Sequence, residues 1–227
     1  IFWLQNQQLN VIFFSKIAFS PSTYSMNSNN NNNLQTTTAN KTTATSVLLY
    51  FLKMFVSPVN GWKSVKSAAL RSEDVAARLF YPSLALISVG EFLKLIYNHA
   101  LTVTELLQDA VITFVAFFAG YFSILFLVDF IFAKDVRAKI TTEFGKTYIL
   151  MNLTTLVIFY LVYEIIPLAA PVLVFTPIYT LYIIIKGAKC LRVPEHSFTS
   201  TICKLTALII GVPMLIYYIF DALMPTV

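Results

Sequence analysis

Between residues 79 and 220 the chain consists of long, unbroken hydrophobic runs separated by short polar breaks. Five runs, at about 79–97, 110–132, 148–166, 168–185 and 202–220, match the roughly 17 to 25 apolar residues that a helix needs to cross a bilayer. The runs are continuous and do not alternate in polarity, and in hydrocarbon each segment must satisfy its own backbone, so they predict helices and not barrel strands. The expected fold is an all-α polytopic membrane bundle with about five transmembrane helices. Pro82, Pro171, Pro177 and Pro213 fall inside the runs and predict kinks, while Pro167 sits between the third and fourth and predicts a tight hairpin.

Ahead of the first run the pattern changes twice. Residues 1–46 are polar and repetitive, with an asparagine tract at 29–33 and a threonine-rich stretch at 36–45. Such a segment buries too little apolar surface to offset its ordering entropy and is expected to be a disordered tail, leaving 47–227 as the membrane domain. Its opening residues fit a signal peptide poorly, and translation is expected to begin at Met26 or Met54. The tripeptide beginning at Asn40 reads as a glycosylation sequon, discounted for a tail placed in the cytoplasm.

The stretch SPVNGWKSVKS, residues 57–67, then has Ser57 and Pro58 placed to open a helix. Val59, Trp62, Val65 and Ala69 recur at helical spacing, with Lys63 and Lys66 toward the other side. This predicts a short amphipathic helix on the membrane surface, anchored by Pro58, Trp62, Lys63 and Lys66, with the indole among headgroups and the lysines snorkelling. A further helix is expected to start at Ser72, where Glu73 and Asp74 suit its positive end, and to run into the first span.

Composition supports the membrane reading. The 227 residues are 57% hydrophobic and 12% charged, with mean hydropathy +0.72, against roughly 25% charged in soluble domains. The net charge of +5 comes without a basic helix or aromatic–basic stripe, so nucleic acid is not an expected partner; the bilayer is. Lys and Arg gather before the first span, around the second loop (Lys134, Arg137, Lys139, Lys146) and around the fourth (Lys186, Lys189, Arg192, Lys204). The first and third loops carry none, which predicts a cytoplasmic N-terminus.

FVSPVNGWKSVK resembles the leader of the short bacterial members of the Yip domain family, membrane proteins that share a domain with Ypt/Rab-interacting proteins. TPIYTLYIIIKGAKCLRVPEHSF is similar to the family's exit from its fourth span, with Tyr179 and Tyr182, Gly187 just past the helix, a basic turn and Pro194. The resemblance implies a five-span, non-enzymatic protein that organises membranes or binds membrane or cytoplasmic partners. Its setting would be a bacterial cytoplasmic membrane, or an ER or Golgi membrane in a eukaryote. AARLFYPS keeps Leu79, Tyr81 and Pro82 of the eukaryotic motif but lacks its acid and glycine, so Rab binding is not carried over.

Four charges in or near the spans are candidate functional groups, because ionised side chains are costly in hydrocarbon. Glu91 and Lys94 lie three apart on one helix face and can pair. Asp129 falls near the cytoplasmic end of the second span and Glu164 near the outer end of the third. Interfacial or mutually paired charges would account for them, and so would the ion path of a small transporter or channel. No catalytic motif, metal-ligand spacing or cofactor loop is present, and His99 and His196 fall on opposite sides of the predicted membrane. Cys203 with His196 has no orienting third group. Ala116 and Gly120, four apart, predict close helix packing within the bundle.

Overall fold

The computed structural model describes residues 43–97, 101–165 and 170–224; the tail to residue 42, Asn40, His99 and the Pro167 hairpin lie outside them. Among the described residues the chain is helical and contains no strand. The leader forms α1 (Ala44–Val56) and α2 (Pro58–Ser67). There follow α3 (Ser72–Ile96), α4 (Val103–Ile131), the short α5 (Lys134–Ile140), α6 (Glu143–Ile165), α7 (Ala170–Ala188) and α8 (Phe198–Leu223).

Four helices, α3, α4, α6 and α8 with the short turn before it, are long and apolar enough to cross a membrane. They mark a multi-pass membrane protein. The expected fourth span falls on α7, whose 19 residues correspond to about 28 Å of helix. Large apolar side chains point outward along the bundle, among them Phe122, Phe126 and Phe130 on α4 and Met214, Leu215 and Tyr218 on α8. In water this surface would be an aggregation liability; in lipid it needs no cover.

The helices begin earlier than hydropathy alone places them, because capping chemistry extends them into polar sequence. Thr102 accepts from the Glu105 amide while Glu105 reaches back to the Thr102 amide, so α4 starts at Val103 and not near residue 110. At Ser72 the expected helix start holds, and the Glu143 carboxylate, from the first turn of α6, accepts from both its amide (3.2 Å) and its hydroxyl (2.8 Å). Pro82 cannot donate into the helical ladder. The preceding turn, Ala76–Phe80, widens into a π-helix in which the Tyr81 amide reaches Ala76 O.

Helix α1 was not anticipated; Thr43 caps it, and Val47, Phe51 and Met54 are buried. It folds back on α2 so closely that a Cβ on Gly61 would lie 2.1 Å from Met54 Cα. Ala116 and Gly120 do pack inside the bundle, where a Cβ on Gly120 would meet Pro213 Cγ at 3.1 Å.

The surface anchor is corrected at its centre. Pro58 opens α2 as expected, but Trp62 is 0% exposed and belongs to the core. Its indole N–H donates to Ile183 O of α7 at 3.0 Å, and its ring lies 5.1 Å from Tyr148 and 6.3 Å from Phe144. Tyr148 donates to the neighbouring carbonyl, Ile184 O, at 2.9 Å. The physical reason is room on α7: a Cβ on Gly187 would lie 2.5 Å from the Tyr148 ring and 2.6 Å from the Trp62 ring. Gly187 is therefore inside the last turn of α7, not past it. Lys66 donates to Cys190 O, Tyr179 donates to Phe55 O, and only Lys63 of the anchor set stands fully exposed. Val59 is also exposed, so the buried face of α2 is Pro58, Gly61, Trp62 and Val65. Tyr182 is half exposed beneath Lys186 Nζ, 5.0 Å from its ring, and the Pro194 carbonyl accepts from Ser197.

Trp62→Ala is expected to destabilise the protein by about 3 to 5 kcal/mol, as loss of a fully buried large aromatic does. Gly187→Val should cost about 1 to 3 kcal/mol by overpacking the same contact. Thermal unfolding in lipid nanodiscs, with limited proteolysis of the leader, checks both.

Candidate functional site

Sequence spacing places Glu91 and Lys94 one turn apart near the end of α3, where the helix tightens into a 3-10 turn at Glu91–Leu93. Packing then adds what spacing cannot. Lys94 Nζ lies 2.5 Å from Glu91 Oε2, 3.1 Å from Glu164 Oε2 of α6 and 3.7 Å from Asp109 Oδ2 of α4. The Glu91 side chain is 0% exposed and that of Glu164 3%. The other Glu91 oxygen, Oε1, accepts from the Thr113 hydroxyl of α4 at 3.2 Å. Tyr160, one turn before Glu164, offers its hydroxyl to that carboxylate.

Three carboxylates thus surround one ammonium, leaving two formal negative charges when all are ionised. Burial makes each charge costly alone, so the lysine stabilises the group mainly by preventing unpaired charge. The Glu91 pairing is local to α3; the other two join it to α4 and α6. This is more than a packed ion pair, which would be neutral.

Of the four expected charges the structure brings together Glu91, Lys94 and Glu164. Asp129 is elsewhere: its side chain is 59% exposed and lies 3.9 Å from Arg137 at the opposite end of α4, among the basic loops. It has no part in the cluster. Asp109, which was not among the four, joins the cluster; the signal for it was the Thr102–Glu105 capping pattern, which puts residue 109 well inside the second helix. Neither Cys203 nor His196 is enclosed, and no metal-binding group of three or more His, Cys, Asp or Glu occurs among the described residues.

Beside the cluster a cavity of about 450 Å³ lies between α4, α6, α7 and α8. Its wall includes Phe117, Tyr160, Tyr163, Pro213, Met214 and Tyr217. Two of these residues join cavity to cluster: Tyr160 through Glu164, and Tyr217 through its electrostatic interaction with Asp109, Lys94 and Glu91. The volume is that of a small-molecule site, mostly apolar with a few polar groups at one end.

Lys94→Met should destabilise the bundle by about 3 to 5 kcal/mol, because it leaves buried carboxylates unpaired. Adding Glu91→Gln and Glu164→Gln to it should recover much of that loss, whereas Asp129→Asn should stay within about 0.5 kcal/mol of wild type. Chemical denaturation in a mild detergent reads all three. Comparisons of the chain with protein-family models, curated proteins and solved structures found no match.

Proposed function

We propose that this multi-pass membrane protein is a small transporter that binds a cation at the Glu91–Lys94–Glu164–Asp109 cluster. The observation that carries the reading is the convergence of three carboxylates on a single lysine, next to a cavity large enough for a solute. Ionisable groups held within membrane helices typically serve ion or proton paths. Aromatic rings on the cavity wall, Phe117, Tyr160 and Tyr217 among them, favour an organic cation through their π faces.

A second reading rests on the other end of the bundle. The resemblance to the Yip domain family implies a non-enzymatic protein that organises membranes or binds partners. Its support is that the two stretches carrying the resemblance touch one another, Trp62 of the leader lying against Gly187 of α7. Exposed Lys63, Lys134, Lys139, Lys189 and Arg192 would supply the contact surface.

Reconstituted in liposomes with an entrapped pH dye, the wild type is expected to dissipate an imposed proton gradient when an organic ammonium salt is added outside. Glu91→Gln, confirmed as folded by gel filtration, should lower that rate at least tenfold. Absence of cation-dependent flux, with protein partners recovered by lysine crosslinking at the basic end, would favour the second reading.

A further inference from the structure

The cavity beside the cluster reaches the outer surface of the bundle. Its inner wall is α4, through Ala116 and Phe117, and α8 leans on that helix, with Pro213 so close that a Cβ on Gly120 would meet it at 3.1 Å. On the far side four lining residues are exposed: Tyr163 of α6, Pro177 of α7, and Met214 and Tyr218 of α8. They mark a mouth between α8 and the pair α6 and α7. Both α7 and α8 put their interior proline on the cavity wall, and a proline bends its helix away from continuous contact with a neighbour.

Depth decides what lies outside that mouth. Along the helix axes Met214 is about 5 Å from the midpoint of α8 and Pro177 about 3 Å from that of α7. The next residues in the chain, Leu215 and Ile178, are exposed and apolar as well. At mid-span a membrane bundle is surrounded by hydrocarbon and not by water. The mouth is therefore a side door to the bilayer. Inside it, the rings of Tyr160 and Tyr217 line the cavity, and the Tyr160 hydroxyl is bonded to the Glu164 carboxylate of the cluster. A run of methylenes suits the mouth and the apolar wall, whereas only a cation uses the aromatic faces and the negative groups behind them.

We propose that this cavity is loaded from within the membrane, and that its ligand is a membrane-dissolved single-chain amine. The ammonium lies against Tyr160 and Tyr217, drawn by the carboxylates behind them, and the alkyl chain leaves between Pro177 and Met214 into the lipid. The inference rests on the cation-binding reading for the ammonium end; the route of entry rests on the mouth alone. A small hydrophilic cation would have to shed its hydration in hydrocarbon to reach that mouth, which is costly for any charge without an apolar carrier. An alkylamine already partitions into the bilayer and meets the opening at the depth where its chain lies.

The test uses an octylamine carrying a diazirine in its alkyl chain, with the matching diazirine octanol as neutral probe, on the full chain in liposomes. After irradiation, peptide mass spectrometry should place amine adducts on the segments around Pro177 and Met214, about tenfold above those of the alcohol, the factor a desolvated cation–π contact supplies. Met214→Trp, which adds bulk at the mouth, should lower that yield about fivefold, whereas Leu215→Trp, on the lipid-facing side beside it, should leave it within about twofold of wild type. Adducts spread evenly over the lipid-facing residues would overturn the proposal, as would a yield that the two tryptophan variants change alike. Equal yields from amine and alcohol at the mouth would overturn the amine assignment. Glu91-dependent flux of a water-soluble ammonium without these adducts would overturn entry from the bilayer and leave transport standing; the adducts without flux would do the reverse.

Discussion

One ammonium group, Lys94 Nζ, ties together three helices of the bundle. Glu91 comes from its own helix α3, Asp109 from α4 and Glu164 from α6, at 2.5, 3.7 and 3.1 Å. In a bilayer apolar packing barely distinguishes a neighbouring helix from lipid tails, so a charged group with fixed partners specifies which helices meet and at what depth. The cluster is thus a register device as well as a chemical site. The attraction of Lys94 for carboxylates on both neighbouring helices obliges α4 and α6 to keep their places.

The opposite end is held by different means. Trp62, Lys66 and Tyr179 join the leader to α7 and the turn after it through Ile183 O, Cys190 O and Phe55 O, and Glu143 and Thr147 of α6 hold Ser72 and Leu70 at the start of α3. Carbonyls near a helix C-terminus have spare acceptor capacity and a negative end, which suits a lysine and an indole N–H. Hydrogen bonds and aromatic packing govern this end, a buried ion cluster the other. The cavity lies nearer the charged end.

The sequence made the bundle legible because a bilayer demands long apolar runs and permits little else. It also made Glu91 and Lys94 legible, since a spacing of three is local. Asp109 was missed for a boundary reason: hydropathy opened the second helix at about residue 110, while the capping pattern at Thr102 opens it at Val103. The approach of Glu164 is a long-range fact that no local pattern encodes. Trp62 was misplaced for a subtler reason. An apolar stripe beside lysines describes a helix lying on lipid and a helix lying on protein equally well, and the deciding feature, the missing side chain of Gly187, is 125 residues away in the chain. Helix α1 was obscured by the threonine-rich sequence running into it, although Thr43 provides a regular cap.

The π turn at Ala76–Phe80 divides α3 into two segments that answer to different neighbours. Below it, the helix start is positioned by Glu143; above it, Glu91 and Lys94 are positioned by α4 and α6. In a uniform helix the azimuth of every residue is fixed by that of any other, about 100° per residue. A wide turn breaks this rule once, acting as a coupling with rotational slack. The leader's attachment and the charged cluster can each be set to its own geometry, and a small adjustment at one need not be transmitted as torque to the other.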